Sequence, residues 1–205
     1  MIKTKYLDSI VSRETLENIN KYCVFLIEYN KNLNLISKSS ESIIMSRHIE
    51  DSAQMLKYID NSDTKILDIG SGAGFPGIVM DLIKKDLNMN FKMEIVEKSV
   101  KKCSYLQELC NYLKIDVAIH NQDVTKLKKK DYSTLVCRAF KPLVSFFEIL
   151  EVSRITFNKI ILLKGESYQI EMDQAMKHWV INCDTHESVT NPGSKVLVIN
   201  SVERI

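Results

Sequence analysis

The sequence predicts an α/β fold: a seven-stranded, mostly parallel sheet with an antiparallel C-terminal strand, plus N-terminal helices. Three observations carry that prediction. From residue 62 onward, short apolar runs alternate with helix-length segments, the pattern of βα units whose crossovers keep strands parallel. A glycine-rich turn, Gly70-Ser71-Gly72-Ala73-Gly74-Phe75-Pro76-Gly77, separates the first apolar run from an apolar helix. The stretch from His186 to Lys195 contains Asn191-Pro192-Gly193 and has no helical period. It joins the last two strands as a hairpin, so the last strand runs antiparallel.

Taken in order, residues 1–60 read as helical. Ser12-Arg13-Glu14-Thr15 is an N-cap start, followed by Leu16, Ile19, Cys23, Leu26 and Ile27 at helix spacing. Asn30 to Ser40 is polar and reads as a loop. A second helix is expected from Ser40 or Ser42, carrying Ile43, Ile44, His48, Ser52, Met55 and Leu56. Asn61-Ser62-Asp63 breaks the pattern, so residues 1–60 form a helical extension and 61–205 the main domain. Strands are expected at 65–69, 92–97, 116–119, 133–137, 158–163, 178–183 and 195–200. Helices are expected at 76–86, 98–113, 141–153 and 166–176. The crossover 121–132 is short and lysine-rich, and is not read as a helix.

Composition bounds the function. The chain has 205 residues, 45% apolar, enough for one domain with an extension. Its net charge of +2 is lower than a dedicated DNA-binding domain carries. Lysines cluster at Lys98, Lys101 and Lys102 and at Lys126, Lys128, Lys129 and Lys130. Each cluster reads either as a phosphate-facing surface or as a solvated face. Five cysteines without a C-x-x-C pair argue against a disulfide framework or structural zinc, and for a reducing compartment. Cys103 and Cys110, seven residues apart, share a helix face and read as core. No 18-residue apolar run predicts a membrane span, and no apolar leader segment is read, so a cytoplasmic location is expected.

The glycine turn admits two ligand classes. Gly72 to Gly77 spells G-x-G-x-x-G, and Glu97 lies 20 residues beyond, as in dinucleotide sites. Two features favour S-adenosylmethionine (SAM) instead. Asp68 begins Asp-x-Gly-x-Gly-x-Gly, the form seen in SAM enzymes. Pro76 removes a backbone donor that a pyrophosphate would use, and SAM carries no phosphate. A seven-stranded sheet ending in a hairpin is also the Rossmann-like architecture of SAM-dependent methyltransferases.

Asp68-Ile69-Gly70-Ser71-Gly72-Ala73-Gly74-Phe75-Pro76-Gly77-Ile78 resembles motif I of the glucose-inhibited division protein B family. Asn32 to Ile36 with Arg47 to Ser52 resembles that family's N-terminal signatures, and Cys137-Arg138-Ala139-Phe140 its motif after strand four. With Lys164-Gly165, the similarity runs from about residue 28 to the C-terminus. The resemblance implies a SAM-dependent methyltransferase acting on guanine N7 in the 530 loop of 16S ribosomal RNA, releasing S-adenosylhomocysteine. It implies 16S RNA or the small ribosomal subunit as partner. No metal, DNA or membrane partner is expected, and a monomer is.

Site residues follow from both sources. Gly70, Gly72 and Phe75 belong to the motif, and Glu97 ends strand two, where an acid accepts from ribose hydroxyls. Glu97 also reads as a surface charge paired with Lys101. By resemblance, Val124 and Thr125 contact adenine and Arg138 contacts the cofactor; Thr125 departs from the family's usual acidic or small residue. Arg138 also reads as a steering group for an RNA phosphate, and is the one possible catalytic contributor in a positioning mechanism with no catalytic side chain. Arg47, His48 and Asp51 form either a polar cluster at the cofactor corner or a local helix pair. The family's Arg-rich segment before the last strand is replaced here by Asn191 to Lys195, leaving Lys195 as the candidate RNA contact. The chain lacks the Asn-Pro-Pro-Tyr motif of exocyclic-amine methylases and the Pro-Cys dipeptide of pyrimidine-C5 methylases. Cys137 reads as packing or, alternatively, as a covalent nucleophile. The competing functions are an NAD(P)-dependent oxidoreductase and a non-catalytic RNA-binding assembly factor.

Overall fold

A computed structural model of the chain describes residues 7–127, 130–138 and 140–205. Seven strands form one sheet: β1 (Lys65–Ile69), β2 (Lys92–Glu97), β3 (Ala118–Asn121), β4 (Thr134–Arg138), β5 (Lys159–Lys164), β6 (Trp179–Glu187) and β7 (Lys195–Arg204). Their spatial order is β3-β2-β1-β4-β5-β7-β6. The first five are parallel, and β7 runs antiparallel to both β5 and β6. The chain thus has the Rossmann-like fold of SAM-dependent methyltransferases that its sequence predicts. The hairpin is longer than expected: β6 runs on to Glu187 and β7 to Arg204, with a bulge at Asn182/Cys183.

Helices cover both faces, which is why the central strands read as unbroken apolar runs. In β1, Ile66 enters one core while Leu67 and Ile69 enter the other, the two-residue alternation of a strand. The first core is closed by α1 (Arg13–Leu33), α4 (Gly77–Ile83) and α5 (Val100–Leu113), through Ile19, Tyr22, Leu26, Ile78, Tyr105 and Leu106. The second is closed by α6 (Leu143–Ser153) and α7 (Tyr168–Ala175), through Phe146, Phe147 and Met172. Cys103 and Cys110 are buried.

The N-terminal segment departs most from expectation. Ser12 does cap α1, accepting from the Thr15 N–H. The helix then continues through Asn30 to Leu33, where a loop was expected. The Asn30 side chain explains the polarity: it accepts from the Ile36 N–H at 2.9 Å and donates to Glu41 at 2.6 Å, fixing the following bend. A one-turn helix, α2 (Lys38–Glu41), begins within the expected loop and ends just past it. The expected second helix is broken into a π-helical turn (Met45–Glu50), α3 (Asp51–Ala53) and a 3-10 turn (Gln54–Tyr58). At the π turn the Arg47 and His48 carbonyls accept from Arg138, a partner that local spacing does not encode. The lysine-rich crossover holds a 3-10 turn (Val124–Lys126), and Lys128 and Lys129 lie outside the described residues.

Candidate active site

The order of the parallel strands reverses at β1, which lies between β2 and β4. Ligands of such sheets bind at the carboxyl ends of the strands flanking that point. The glycine turn leaves β1 there, with Gly70, Gly72 and Gly74 at positive φ. At Gly70 a Cβ would lie 2.4 Å from the Phe140 ring, so the backbone and that ring meet only because the residue is glycine. At Gly72, φ is +60°, and a Cβ would meet no protein atom closer than 3.9 Å.

Four contacts prop the turn. The Ala73 carbonyl accepts from the hydroxyls of Tyr22 (2.7 Å) and Tyr105 (3.1 Å). Gly77 N–H donates to Asp68 Oδ2 at 2.8 Å. Gly72 N–H donates to Glu97 Oε2 at 3.2 Å. Sequence reasoning missed both tyrosines; the available signal was Tyr22's place on the apolar face of α1, three residues after Ile19.

A cleft of about 510 Å³ opens beside the turn. Gly70 and Phe140 form one wall, Glu97, Lys98 and Lys102 another, and Asp123, Val124 and Thr125 a third. A cleft of about 560 Å³ near Trp179 and Arg204 lies at the opposite strand ends and holds none of the nominated residues. Glu97 is 8% exposed and accepts a second bond from Ser99 N–H at 2.9 Å, so it is a buried, oriented carboxylate. Thr125 bonds Asp123 through both its hydroxyl and its N–H, an Asx turn that fixes the third wall. Lys98 and Lys102 stand in the cleft wall, whereas Lys101 is exposed. Lys130 is engaged by Glu94 at 3.1 Å, and Lys195 pairs with Glu187.

Phe75 and Arg138 lie outside the cleft lining, together on another side of the turn. The Arg138 guanidinium sits 5.2 Å over the Phe75 ring, and His48 stacks on the same ring at 5.0 Å. Arg138 Nη1 donates to the Arg47 and His48 carbonyls at 3.1 and 3.2 Å and lies 3.7 Å from Asp51. Arg138 Nη2 bonds His48 Nδ1. Arginine only donates, so Nδ1 accepts and the imidazole proton resides on Nε2. Burial, then the Arg138 and Arg47 charges, pull His48 down to about 3, so the ring is neutral. Arg47, His48 and Asp51 therefore belong to a tertiary cluster organised by Arg138. Among the described residues, no group of three metal-ligating side chains occurs, and no helix is long and apolar enough to cross a membrane.

Asp68 yields a pH prediction. Burial pushes its carboxyl up to about 7, against the pull of the nearby Ser71 hydroxyl and of the Gly77 N–H bond. Its folded value exceeds its unfolded one, so this group's stability contribution is full below about 4 and is lost as pH rises to about 7. Asp68→Asn keeps an acceptor for Gly77 and removes the titration. Denaturant unfolding of both proteins at pH 5 and 8 should show the variant gaining on wild type as pH rises; a constant difference would refute the assignment.

A family model described as rRNA small subunit methyltransferase G matches residues 15–198. Proteins named ribosomal RNA small subunit methyltransferase G are similar along nearly their whole length. That of Rickettsia akari is 33% identical, covering 95% of this chain and 98% of the relative. That of Pelagibacter ubique is 30% identical, covering 95% and 92%. Among solved structures, a SAM-dependent methyltransferase from Aquifex aeolicus shares the fold at TM-score 0.59 and 14% identity, covering 80% of this chain and 96% of that one. The 16S rRNA methylase ArmA shares it at TM-score 0.58 and 15% identity, covering 88% and 97%. On the extent of the family match and of these relatives, the chain belongs to the rRNA small subunit methyltransferase G family.

Proposed function

We propose that this chain transfers the methyl group of SAM to N7 of a guanine in 16S ribosomal RNA, in the 530 loop of the small subunit. The observation that carries the reading is the Asp-x-Gly-x-Gly-x-Gly turn, held at positive φ beside a cleft and tied by Gly72 to the buried Glu97. The residues present fit the cofactor: open space over Gly72, an oriented carboxylate, and apolar walls at Val124 and Phe140. When bound, SAM supplies an electrophilic methyl group on a sulfonium.

The protein's part is positioning. Guanine N7 presents a lone pair and no proton, so no general base is needed. Alignment of the two reactants can supply several kcal/mol. Glu97 would accept from ribose hydroxyls, Val124, Thr125 and Phe140 would enclose the adenine, and Gly70 and Gly72 would let the ligand approach the backbone. Phe75 and Arg138 brace the turn from behind. Lys98 and Lys102 would add positive potential at the cleft mouth, where an RNA phosphate is drawn. The dinucleotide reading of Gly72 to Gly77 is not retained, because the chain's family is one of methyltransferases.

The test is incorporation of radiolabelled methyl from SAM into 16S RNA, as naked RNA and as small subunits. Absence of incorporation with bound S-adenosylhomocysteine would favour a non-catalytic RNA-binding role. Glu97→Ala should weaken S-adenosylhomocysteine binding by about 1–3 kcal/mol, the scale of a charge-assisted hydrogen bond. The loss should largely vanish for an analogue lacking the ribose hydroxyls, as calorimetry would read; equal losses for both ligands would remove Glu97 from the ribose site.

A further inference from the structure

The hairpin loop between β6 and β7 is tied to the helical segment that holds Arg138. Gln54, 1% exposed, donates to Ser188 Oγ at 3.1 Å and to Asp51 Oδ1 at 3.2 Å. Its carbonyl oxygen accepts from Val189 N–H at 2.9 Å. The Thr190 hydroxyl donates to Asp51 Oδ1. Asp51 Oδ2 in turn faces Arg138 Nη1, whose guanidinium lies over Phe75 at the end of the glycine turn. Lys195, where the loop ends, pairs in register with Lys164, the last residue of β5. The loop therefore stands at the same carboxyl edge of the sheet as the cleft.

We infer that Thr190 and Gln54 are positioning residues for methyl transfer: they clamp the hairpin loop to Asp51, which orients Arg138 against the glycine turn. The inference rests on the methyl-transfer reading above. Its logic is electrostatic. Arg47 on the π turn and Arg138 on β4 both act on Asp51, and neutral His48 adds no charge. Two carboxylates act on Arg138, and Asp51 does so more strongly than Asp68 on β1; only Asp51 is held by the hairpin loop. Burial pushes its carboxyl up, and the Thr190 hydroxyl is the strongest influence pulling it back, ahead of either arginine. Without that hydroxyl, Asp51 takes a proton at higher pH and Arg138 loses the stronger of its two counter-charges. The loop would then no longer hold Arg138 against the turn.

Single-turnover transfer at saturating SAM and RNA tests this, with Thr190→Val, Thr190→Ser and Gln54→Leu. Thr190→Val should slow transfer about tenfold, with KM for RNA and Kd for S-adenosylhomocysteine within about twofold of wild type. The acid limb of its pH–rate profile should move to higher pH, because loss of a bond to the charged form raises the carboxyl. Thr190→Ser should restore both rate and profile. Gln54→Leu should reproduce the slowing, since it frees the loop by another route. A Thr190→Val enzyme with wild-type rate and profile overturns the inference. So does a loss that follows the melting temperature and is not rescued by serine. Wild type that binds S-adenosylhomocysteine but transfers no methyl instead overturns the reading on which the inference rests, and this role with it.

Discussion

Gly72→Val is expected to weaken S-adenosylhomocysteine binding by about 100-fold or more, roughly 2.7 kcal/mol, and to abolish transfer at ordinary cofactor concentrations. Two effects combine. At φ +60° a β-branched residue is a steric outlier, so the turn must shift or carry about 1–3 kcal/mol of strain. The space over Gly72, bounded by Gly70 O at 3.9 Å and Lys102 Nζ at 4.0 Å, would also fill with two methyl groups. Gly72→Asn separates the two, because asparagine tolerates a left-handed backbone but still occupies that space. Both variants should lose binding by calorimetry, while only the valine variant should lose much stability in denaturant. An asparagine variant that binds normally would mean that strain alone had acted. A folded valine variant with unchanged affinity would put the cofactor elsewhere.

The parts legible in the sequence were those set by local periodicity. Strands β1, β2, β4 and β5 were found within a residue of expectation, because strands covered on both faces are continuous apolar runs that end where the covering ends. The hairpin was legible because Asn191-Pro192-Gly193 leaves too little chain for a crossover. Gly70, Glu97, Val124 and Thr125 do line one cleft. The support behind them was not legible. Tyr22 and Tyr105 converge on the Ala73 carbonyl from helices 83 residues apart in sequence, at Tyr22 and Tyr105. Gln54 meets Ser188 across 134 residues. Sequence spacing reports only neighbours three or four residues apart on a helix, or two on a strand. The lysines show the same limit: charge counting put Lys98 and Lys102 on a possible phosphate face, and the fold sets them in the cleft wall beside Glu97. Their reversal is therefore expected to disturb cofactor binding as well as RNA binding.

The methylated RNA should carry its new group on guanine N7, and transfer should need no cysteine nucleophile. N7 methylation makes the base cationic and its glycosidic bond labile, so borohydride followed by aniline should cut the RNA at one guanine. The fold argues against the covalent alternative at Cys137. That side chain, on β4, is 3% exposed and belongs to the same core as Leu135 and Leu162. Burial, reinforced by the Asp68 charge, pushes its thiol far above the ordinary range, so the thiolate a nucleophile needs is not formed near neutral pH. Cys137→Ala should therefore keep most activity and lose about 1 kcal/mol of stability. At saturating cofactor and RNA, the chemical step should show no steep rise through the deprotonation of a general base, since N7 has no proton to give up. The acid limb set by Asp51 rises with pH as a general base's would, but it reports the holding of Arg138: Thr190→Val should move it while Cys137→Ala should not. RNA that takes up labelled methyl yet resists aniline would exclude N7. A Cys137→Ala enzyme that binds both ligands and transfers nothing would restore the covalent mechanism.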